Sequence, residues 1–136
     1  MGAPTRRSPL HHRAPLGGTG VRLAELPFAG KFILRADPDL AVEPLRRALG
    51  LGLPFDPLTS SNSGDMSFLW MGPDEWMLVT GPGDAAERRA AAQQALAGRH
   101  HQVVDVSDYY TMLEVAGESA RSLLMKLTTL DLHPRA

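Results

Sequence analysis

The chain has 136 residues, a formal net charge of −1 and 43% hydrophobic residues. This length predicts one domain with an apolar core, and the near-neutral charge excludes a global field that would recruit nucleic acid or an acidic membrane surface. The absence of cysteine excludes disulfides, thiolate catalysis and cysteine-ligated metal.

The sequence contains no segment typical of membrane insertion or secretion. No apolar run approaches the roughly 20 residues that a helix needs to cross a bilayer. The early arginines are not followed by the apolar stretch of a secretory signal. We therefore expect a cytoplasmic protein that binds neither membranes nor nucleic acid.

Residues 1–20 are rich in glycine, proline and arginine and show no apolar periodicity. A segment of this composition buries too little apolar area to offset the chain entropy lost on folding. We predict a disordered arm over residues 1–20 and a single α+β domain over residues 21–136.

The first elements of that domain are two strands and a helix. Weak alternation predicts a short edge strand over residues 21–26, and β-branched and aromatic residues predict a second strand over residues 31–36. Asp37 and Pro38 fit the N-cap and first position of a helix that Gly50 ends. The apolar residues of its predicted face are Leu40, Ala41, Leu45, Ala48 and Leu49.

A loop, a hairpin and a second helix follow. Residues 51–65 form a predicted loop, and residues 66–71 and 76–80 are predicted strands joined by a turn of about four residues. Asp84 followed by Glu87 resembles a capping box, which predicts the start of a helix. The predicted face of this helix consists of Ala86, Ala90, Gln93 or Gln94, and Ala97, and Gly98 ends the helix.

Two strands and a helix complete the chain. The strands are predicted over residues 102–107 and 111–116. Spacing of i, i+3, i+4 and i+7 predicts a buried helix face of Ala120, Leu123, Leu124 and Leu127. The order of elements from residue 31 to 107 is β-α-β-β-α-β, which predicts a ferredoxin-like fold followed by an extra strand and helix.

Asp105 is the residue best placed to meet a ligand, because it lies at the end of a predicted strand. Its carboxylate, or that of Asp108, either binds a polar ligand and accepts a proton or caps the turn that follows. Capping is the commoner role. Thr128, Thr129 and Asp131 present the same two alternatives, ligand contact or capping, at the end of the last helix.

The remaining candidates predict no catalytic or metal site on this chain. The histidine pairs at 11–12 and 100–101 are adjacent in sequence, so the two rings of a pair do not converge on one ion. No serine lies in a nucleophile elbow. Trp70 and Trp76 flank the hairpin turn, where they either stack on a heterocycle or anchor the core or an interface.

Several segments together resemble one family, the gamma subunits of heterotetrameric sarcosine oxidase. The segments are residues 70–78, which span both tryptophans, and residues 104–107, 113–117, 120–124 and 130–134. The run of segments from residue 104 to 134 is also similar to the folate-binding fold of glycine-cleavage aminomethyltransferases, through its strand-Gly-helix-Thr-Asp pattern. The resemblance covers residues 65–134 well, covers residues 25–64 only in the order of elements, and leaves out residues 1–20.

The resemblance implies a noncatalytic subunit that carries no cofactor and packs against a large alpha subunit, with beta and delta subunits completing the complex. The complex would demethylate sarcosine oxidatively to glycine, with hydrogen peroxide and 5,10-methylenetetrahydrofolate as further products. FAD, FMN, NAD and zinc are expected on the partner subunits. Members of the family usually continue well past the His-Pro of residues 133–134, so we expect the C-terminal part usual in the family to be missing here.

Two alternatives remain open from the sequence. One is a folate-dependent aminomethyltransferase-like domain, in which Asp105 or Asp131 would hold the pterin. The other is a small-molecule-binding ferredoxin-like module unrelated to sarcosine, in which Trp70 and Trp76 would respond to the ligand.

Overall fold

The computed structural model describes residues 5–133, which separate into two compact units. The central unit is Phe28–Tyr110, and the terminal unit combines the described residues up to Pro27 with those from Thr111 onward. The single domain predicted over residues 21–136 is thus divided between two units. Within the described range, no helix has the length and apolar character required to cross a membrane.

The described chain is a mixture of strands and helices, which confirms the predicted α+β class. The strands are β1 (Leu16–Gly18), β2 (Val21–Leu26), β3 (Gly30–Ala36), β4 (Ser60–Ser63), β5 (Met66–Gly72), β6 (Glu75–Thr80), β7 (His101–Asp105) and β8 (Met112–Ala116). The helices are α1 (Pro38–Leu49), α2 (Ala85–Ala95) and α3 (Ala120–Leu124).

The central unit contains an antiparallel sheet with strand order β4-β5-β6-β3-β7. Without β4, the chain order β3-α1-β5-β6-α2-β7 is the predicted ferredoxin-like arrangement. The extra edge strand β4 lies inside the predicted loop over residues 51–65. Its sequence is Ser-Ser-Asn-Ser, which has no apolar alternation that would have indicated a strand. It is a strand because its backbone groups pair with those of β5.

Helix α1 begins and ends as its sequence predicts. The Asp37 side chain accepts a hydrogen bond from the Asp39 N–H at 3.0 Å, and Gly50 adopts a left-handed φ of 70° at the C-terminus. Ala41, Leu45 and Leu49 form the buried face, whereas the predicted face residues Leu40 and Ala48 are exposed. The face is narrower than predicted because it follows the i, i+4, i+8 row alone.

Helix α2 buries a different face from the predicted one. Ala92 and the C-cap residue Leu96 are buried, whereas Ala86 and Ala90 face solvent. Alanines occur all around this helix, so only the large side chain of Leu96 decides which side packs. The predicted capping box is also absent, because Asp84 makes no capping hydrogen bond and pairs with Arg88 at 3.0 Å.

The core of the central unit fills the space between the sheet and helices α1 and α2. Its largest member is Trp76, which has no exposed surface and whose indole N–H donates to the Pro54 carbonyl at 2.8 Å. The other buried members of this cluster are Phe32, Leu34, Ala41, Leu45, Leu49, Leu51, Leu53, Met66, Phe68, Leu78, Ala92 and Leu96. Side chains alternate between the two faces of a strand. The remaining apolar side chains of β3, β5 and β6, which alternate with the core residues, therefore lie on the opposite face of the sheet.

The terminal unit contains a three-stranded antiparallel sheet with the order β1-β2-β8. Strand β1 lies within the arm predicted to be disordered over residues 1–20, and Ser8 in the same arm is buried. The prediction fails there because Gly17 and Gly18 pair through backbone groups and supply no apolar side chains. Residues 1–4 of the predicted arm lie outside the described residues.

Helix α3 corrects the prediction of a buried face. It has only five residues, none of them buried, and Leu127 beyond its end is 73% exposed. Ala120 and Leu124 are half-buried, whereas Leu123 is exposed. The predicted face is apolar and correctly spaced, but within residues 5–133 most of it remains exposed to solvent.

Candidate functional site

Asp105 lies at the end of β7, and both oxygens of its carboxylate have partners inside the central unit. Oδ1 accepts a hydrogen bond from the Ser107 N–H at 2.9 Å, and Oδ2 lies 3.4 Å from the Arg89 guanidinium. The Ser107 hydroxyl in turn accepts from the Lys31 N–H at 3.0 Å. This geometry is that of a capped turn that ties β7 to β3, the second of the two roles considered for Asp105.

Four of the other candidate polar residues also contact backbone groups of their own segments. Thr128 accepts from the Leu130 N–H at 3.2 Å, and Asp131 accepts from the His133 N–H at 3.0 Å. His11 and His101 contact the carbonyl oxygens of Ser8 and Arg99, respectively. Within residues 5–133, no group of three or more His, Cys, Asp or Glu residues is arranged to hold a metal ion.

The two tryptophans have different environments. Trp70 and Trp76 face each other across the β5–β6 pair, but only Trp76 is fully buried and Trp70 is half-buried. The Phe55 ring packs edge-on against Trp76, with 6.4 Å between ring centroids. Trp76 therefore anchors the core, which is one of the roles predicted for it, and does not stack on a heterocycle.

A feature that sequence analysis missed is a continuous apolar row across the helix-free face of the central sheet. Leu69 pairs with Met77, Met77 pairs with Ile33, and Ile33 pairs with Val104. We call these four side chains the apolar row. The first three are half-buried and Val104 is 48% exposed. The signal was present as four apolar positions, but only the strand register places them side by side.

Large apolar side chains are exposed throughout both units. They include Leu16, Leu26, Leu40, Phe55, Leu58, Met71, Val104, Tyr109, Tyr110, Leu113, Leu123, Met125, Leu127 and Leu130. Tyr109 and Tyr110 stack edge-on at the end of the central unit, with 4.8 Å between ring centroids. Single exposed apolar residues are ordinary, whereas apolar side chains that lie side by side, as in the apolar row, are typical of a surface that associates with a partner.

The terminal unit contains a groove of about 400 Å³ on one face of its sheet, which we call the arm groove. Leu16, Leu23 and Leu113 form its floor, and cross-strand register places them on the same face. Residues 8–15 form one wall and Pro27 contributes to the lining. The groove is therefore predominantly apolar.

Glu25 fixes the wall of the arm groove to the sheet. Its carboxylate accepts hydrogen bonds from the Ser8 hydroxyl at 2.6 Å, the Thr111 hydroxyl at 2.6 Å and the Leu10 N–H at 3.3 Å. The hydrogen bond from Ser8, followed by that from Thr111, lowers the pKa of Glu25 below its ordinary value. The sequence signal for this contact was Glu25 itself, the one carboxylate in strand β2, which the sequence analysis did not consider.

Comparison with known proteins gives consistent matches. The family model described as "Sarcosine oxidase, gamma subunit family" matches residues 34–136. A sarcosine oxidase subunit gamma from Arthrobacter sp is 36% identical over 138 residues, which cover 96% of this chain and 67% of that protein. These matches extend further toward the N-terminus than the predicted resemblance over residues 65–134.

Solved structures show the same relationship. A chain in the structure of heterotetrameric sarcosine oxidase from Corynebacterium sp. U-96 in complex with pyrrole 2-carboxylate matches with a TM-score of 0.83 and 33% identity, over 96% of this chain and 70% of that chain. Aminomethyltransferase T of the glycine cleavage system from Bartonella henselae matches with a TM-score of 0.58 and 17% identity, over 79% of this chain and 32% of that chain. The second match shows similarity of fold.

Proposed function

This chain belongs to the sarcosine oxidase gamma subunit family, and from that membership we propose that it is the noncatalytic subunit that supports assembly of a heterotetrameric sarcosine oxidase. Its partners are the alpha subunit, against which it packs, and the beta and delta subunits that complete the complex. The complex converts sarcosine to glycine by oxidative demethylation, with hydrogen peroxide and 5,10-methylenetetrahydrofolate as the other products. We place this complex in the cytoplasm.

The family match over residues 34–136 is the observation that carries this proposal. The surface of the chain supports it. The apolar row and the exposed leucines and tyrosines are the composition expected at the core of an interface between subunits, where apolar and aromatic side chains replace charged ones. A larger subunit that covers them would remove this apolar area from water.

We propose that FAD, FMN, NAD and zinc are held by the partner subunits and that this chain carries no cofactor. The arrangement of Asp105 supports this assignment, because Ser107 and Arg89 already contact its two oxygens. A folate-dependent transferase would need a carboxylate that is available to the pterin. Asp131 is likewise engaged, by the His133 N–H.

Co-purification tests the assembly role. The chain should be expressed with a tag together with the other three subunits, and the affinity-purified material analysed by size-exclusion chromatography and absorbance. We expect one yellow species that contains four subunits and forms peroxide from sarcosine. Elution of the tagged chain alone, with flavin and activity in the unbound fraction, would exclude the proposal.

Calorimetric titration tests the absence of a folate site. Tetrahydrofolate added to this chain alone should give only heat of dilution, and the same titration of the four-subunit complex serves as the positive control. Saturable binding to the isolated chain that is lost in Asp105→Asn would support the aminomethyltransferase-like alternative.

A further inference from the structure

The hairpin of the central unit carries three methionines that differ widely in exposure. Met66 is 5% exposed, Met77 is half-buried and Met71 is 47% exposed. All three lie on β5 or β6, so they share one local fold. Met71 is therefore the methionine of this unit that a small solute in water reaches most readily.

A β-bulge accounts for the exposure of Met71. Trp70 pairs with Trp76 and Gly72 pairs with Glu75, so the residue between them on β5 has no counterpart on β6. The pairing of β5 with β4 ends before this position. Among residues 5–133, neither neighbouring strand thus places a side chain opposite Met71, whereas cross-strand neighbours cover the side chains of regularly paired positions. The exposure of its thioether follows from the pairing within the hairpin itself.

An exposed thioether reacts with hydrogen peroxide by a two-electron oxidation that needs no further reactant. The methionine Sδ attacks one peroxide oxygen, and an Sδ–O bond forms as the O–O bond breaks. The second oxygen leaves as hydroxide, takes the proton from the transferred oxygen and becomes water. Sulfur loses two electrons and the peroxide gains them, so the product is methionine sulfoxide.

We propose that Met71 is a site of oxidative modification, at which hydrogen peroxide formed by the oxidase adds one oxygen to this chain. The sulfoxide is polar and is hydrated at the surface. Because the bulge keeps Met71 out of the β5–β6 ladder, the added oxygen requires no change in strand pairing, and the fold tolerates it. This inference rests on the proposed function, since the oxidase is the source of the peroxide.

Peroxide added to the isolated chain tests the site without the oxidase. After timed exposure, mass spectrometry with peptide fragmentation locates the added oxygen. We expect the rate constant at Met71 to exceed that at Met66 by about tenfold, in line with their exposed fractions of 47% and 5%, with Met77 between them. Equal rates at the three positions, or faster oxidation of Met66 or Met77, would overturn the inference.

Two leucine variants test the assignment and the tolerance of the fold. Leucine keeps the apolar volume of methionine and removes the thioether. Early uptake of oxygen by the hairpin should be lost in Met71→Leu and retained in Met66→Leu. Peroxide treatment should also shift the unfolding midpoints of the parent chain and of Met71→Leu by the same amount. A larger shift in the parent chain would show that oxidation of Met71 damages the fold and would contradict the proposal.

Turnover of the four-subunit complex tests the source of the oxidant. With sarcosine and oxygen present, we expect Met71 sulfoxide to accumulate, and either catalase or the omission of sarcosine should prevent it. A reduced Met71 in a complex that is producing peroxide would overturn the modification and leave the assembly role intact. A chain that does not join the complex would instead overturn the assembly role, while the experiment with added peroxide still measures the reactivity of Met71.

Discussion

Glu25 is the residue that connects the arm to two strands of the terminal unit through its side chain. It joins Ser8 and Leu10 of the arm to β2, and it joins β2 to Thr111 before β8. These hydrogen bonds act on the ionised carboxylate, so they lower the pKa of Glu25 from its ordinary value near 4.5. The stability of the folded arm therefore depends on the ionisation of the Glu25 carboxyl group.

This linkage predicts the pH dependence of stability. Since the pKa of Glu25 is lower in the folded than in the unfolded state, its stabilising contribution is complete above about pH 4.5 and is lost as the pH falls through the folded value. Glu25→Gln should thus unfold more easily than the parent chain at neutral pH, and the difference should shrink on acidification. Urea unfolding at several pH values measures it.

A proteolysis experiment tests the contact of Glu25 with the arm, and Glu43 provides its control. Hydrogen bonds from Arg46 and Arg47 lower the pKa of Glu43 to about 2, and all three residues lie on α1. Glu43→Gln should leave proteolysis within residues 8–15 unchanged, whereas Glu25→Gln should accelerate it. Equal rates in the two variants would show that Glu25 does not hold the arm.

Gly117 is required by both its backbone angle and its neighbour. Its φ is 111°, and a Cβ added there would overlap the backbone carbonyl of Gly20. We predict that Gly117→Ala destabilises the chain by about 2 kcal/mol or more. Gly83→Ala is the control, because no heavy atom lies within 4 Å of its added Cβ and its φ is not positive. Similar unfolding midpoints for both variants would contradict this assignment.

Trp76 combines core packing with a buried hydrogen bond. Trp76→Phe removes the indole N–H and leaves the Pro54 carbonyl without that donor, so we expect a loss of about 2–3 kcal/mol in the free energy of unfolding. Trp70→Phe removes a half-buried indole and should cost about 1 kcal/mol or less. Denaturant unfolding of the two variants measures the difference, and equal losses would contradict the account.

Among the elements, those with local signals were predictable from the sequence. The Asp37–Pro38 start, the Gly50 end and the β5–β6 hairpin follow from short-range chemistry, and each occurs where it was predicted. Strands β1 and β4 have no such signal, because they pair through the backbone of polar or glycine-rich segments. The burial of α3 was not predictable either, since periodicity shows that a face is apolar but not that another element covers it.

The apolar row makes a prediction at the level of the sheet. Val104→Glu places a charge at the exposed end of the row and should reduce retention of the chain in the complex by about tenfold, because a charge buried at an interface needs a partner. Leu40→Glu, at a similarly exposed apolar position on α1, is the control. Normal retention of Val104→Glu, verified by pulldown and mass spectrometry, would remove the row from the interface.

For the whole molecule, the sequence predicted the family better than it predicted the proposed binding surface. The tryptophan hairpin and the segments after it were enough to indicate the gamma subunit family. The surface was not predictable, because the apolar row depends on the register of four strands. The role of Asp105 in capping its turn rather than binding a ligand remains a proposal.

The central claim is that this chain assembles the oxidase and contributes no catalytic residue. Its most direct test compares three samples: the other three subunits expressed without this chain, with this chain, and with its Asp105→Asn variant. For each sample, the sarcosine-dependent rate of peroxide formation is measured, and analytical ultracentrifugation shows whether the complex is intact. We predict dissociated subunits and low activity without the chain, and full activity of the intact complex with either form. An intact, fully active complex that lacks this chain would contradict the account.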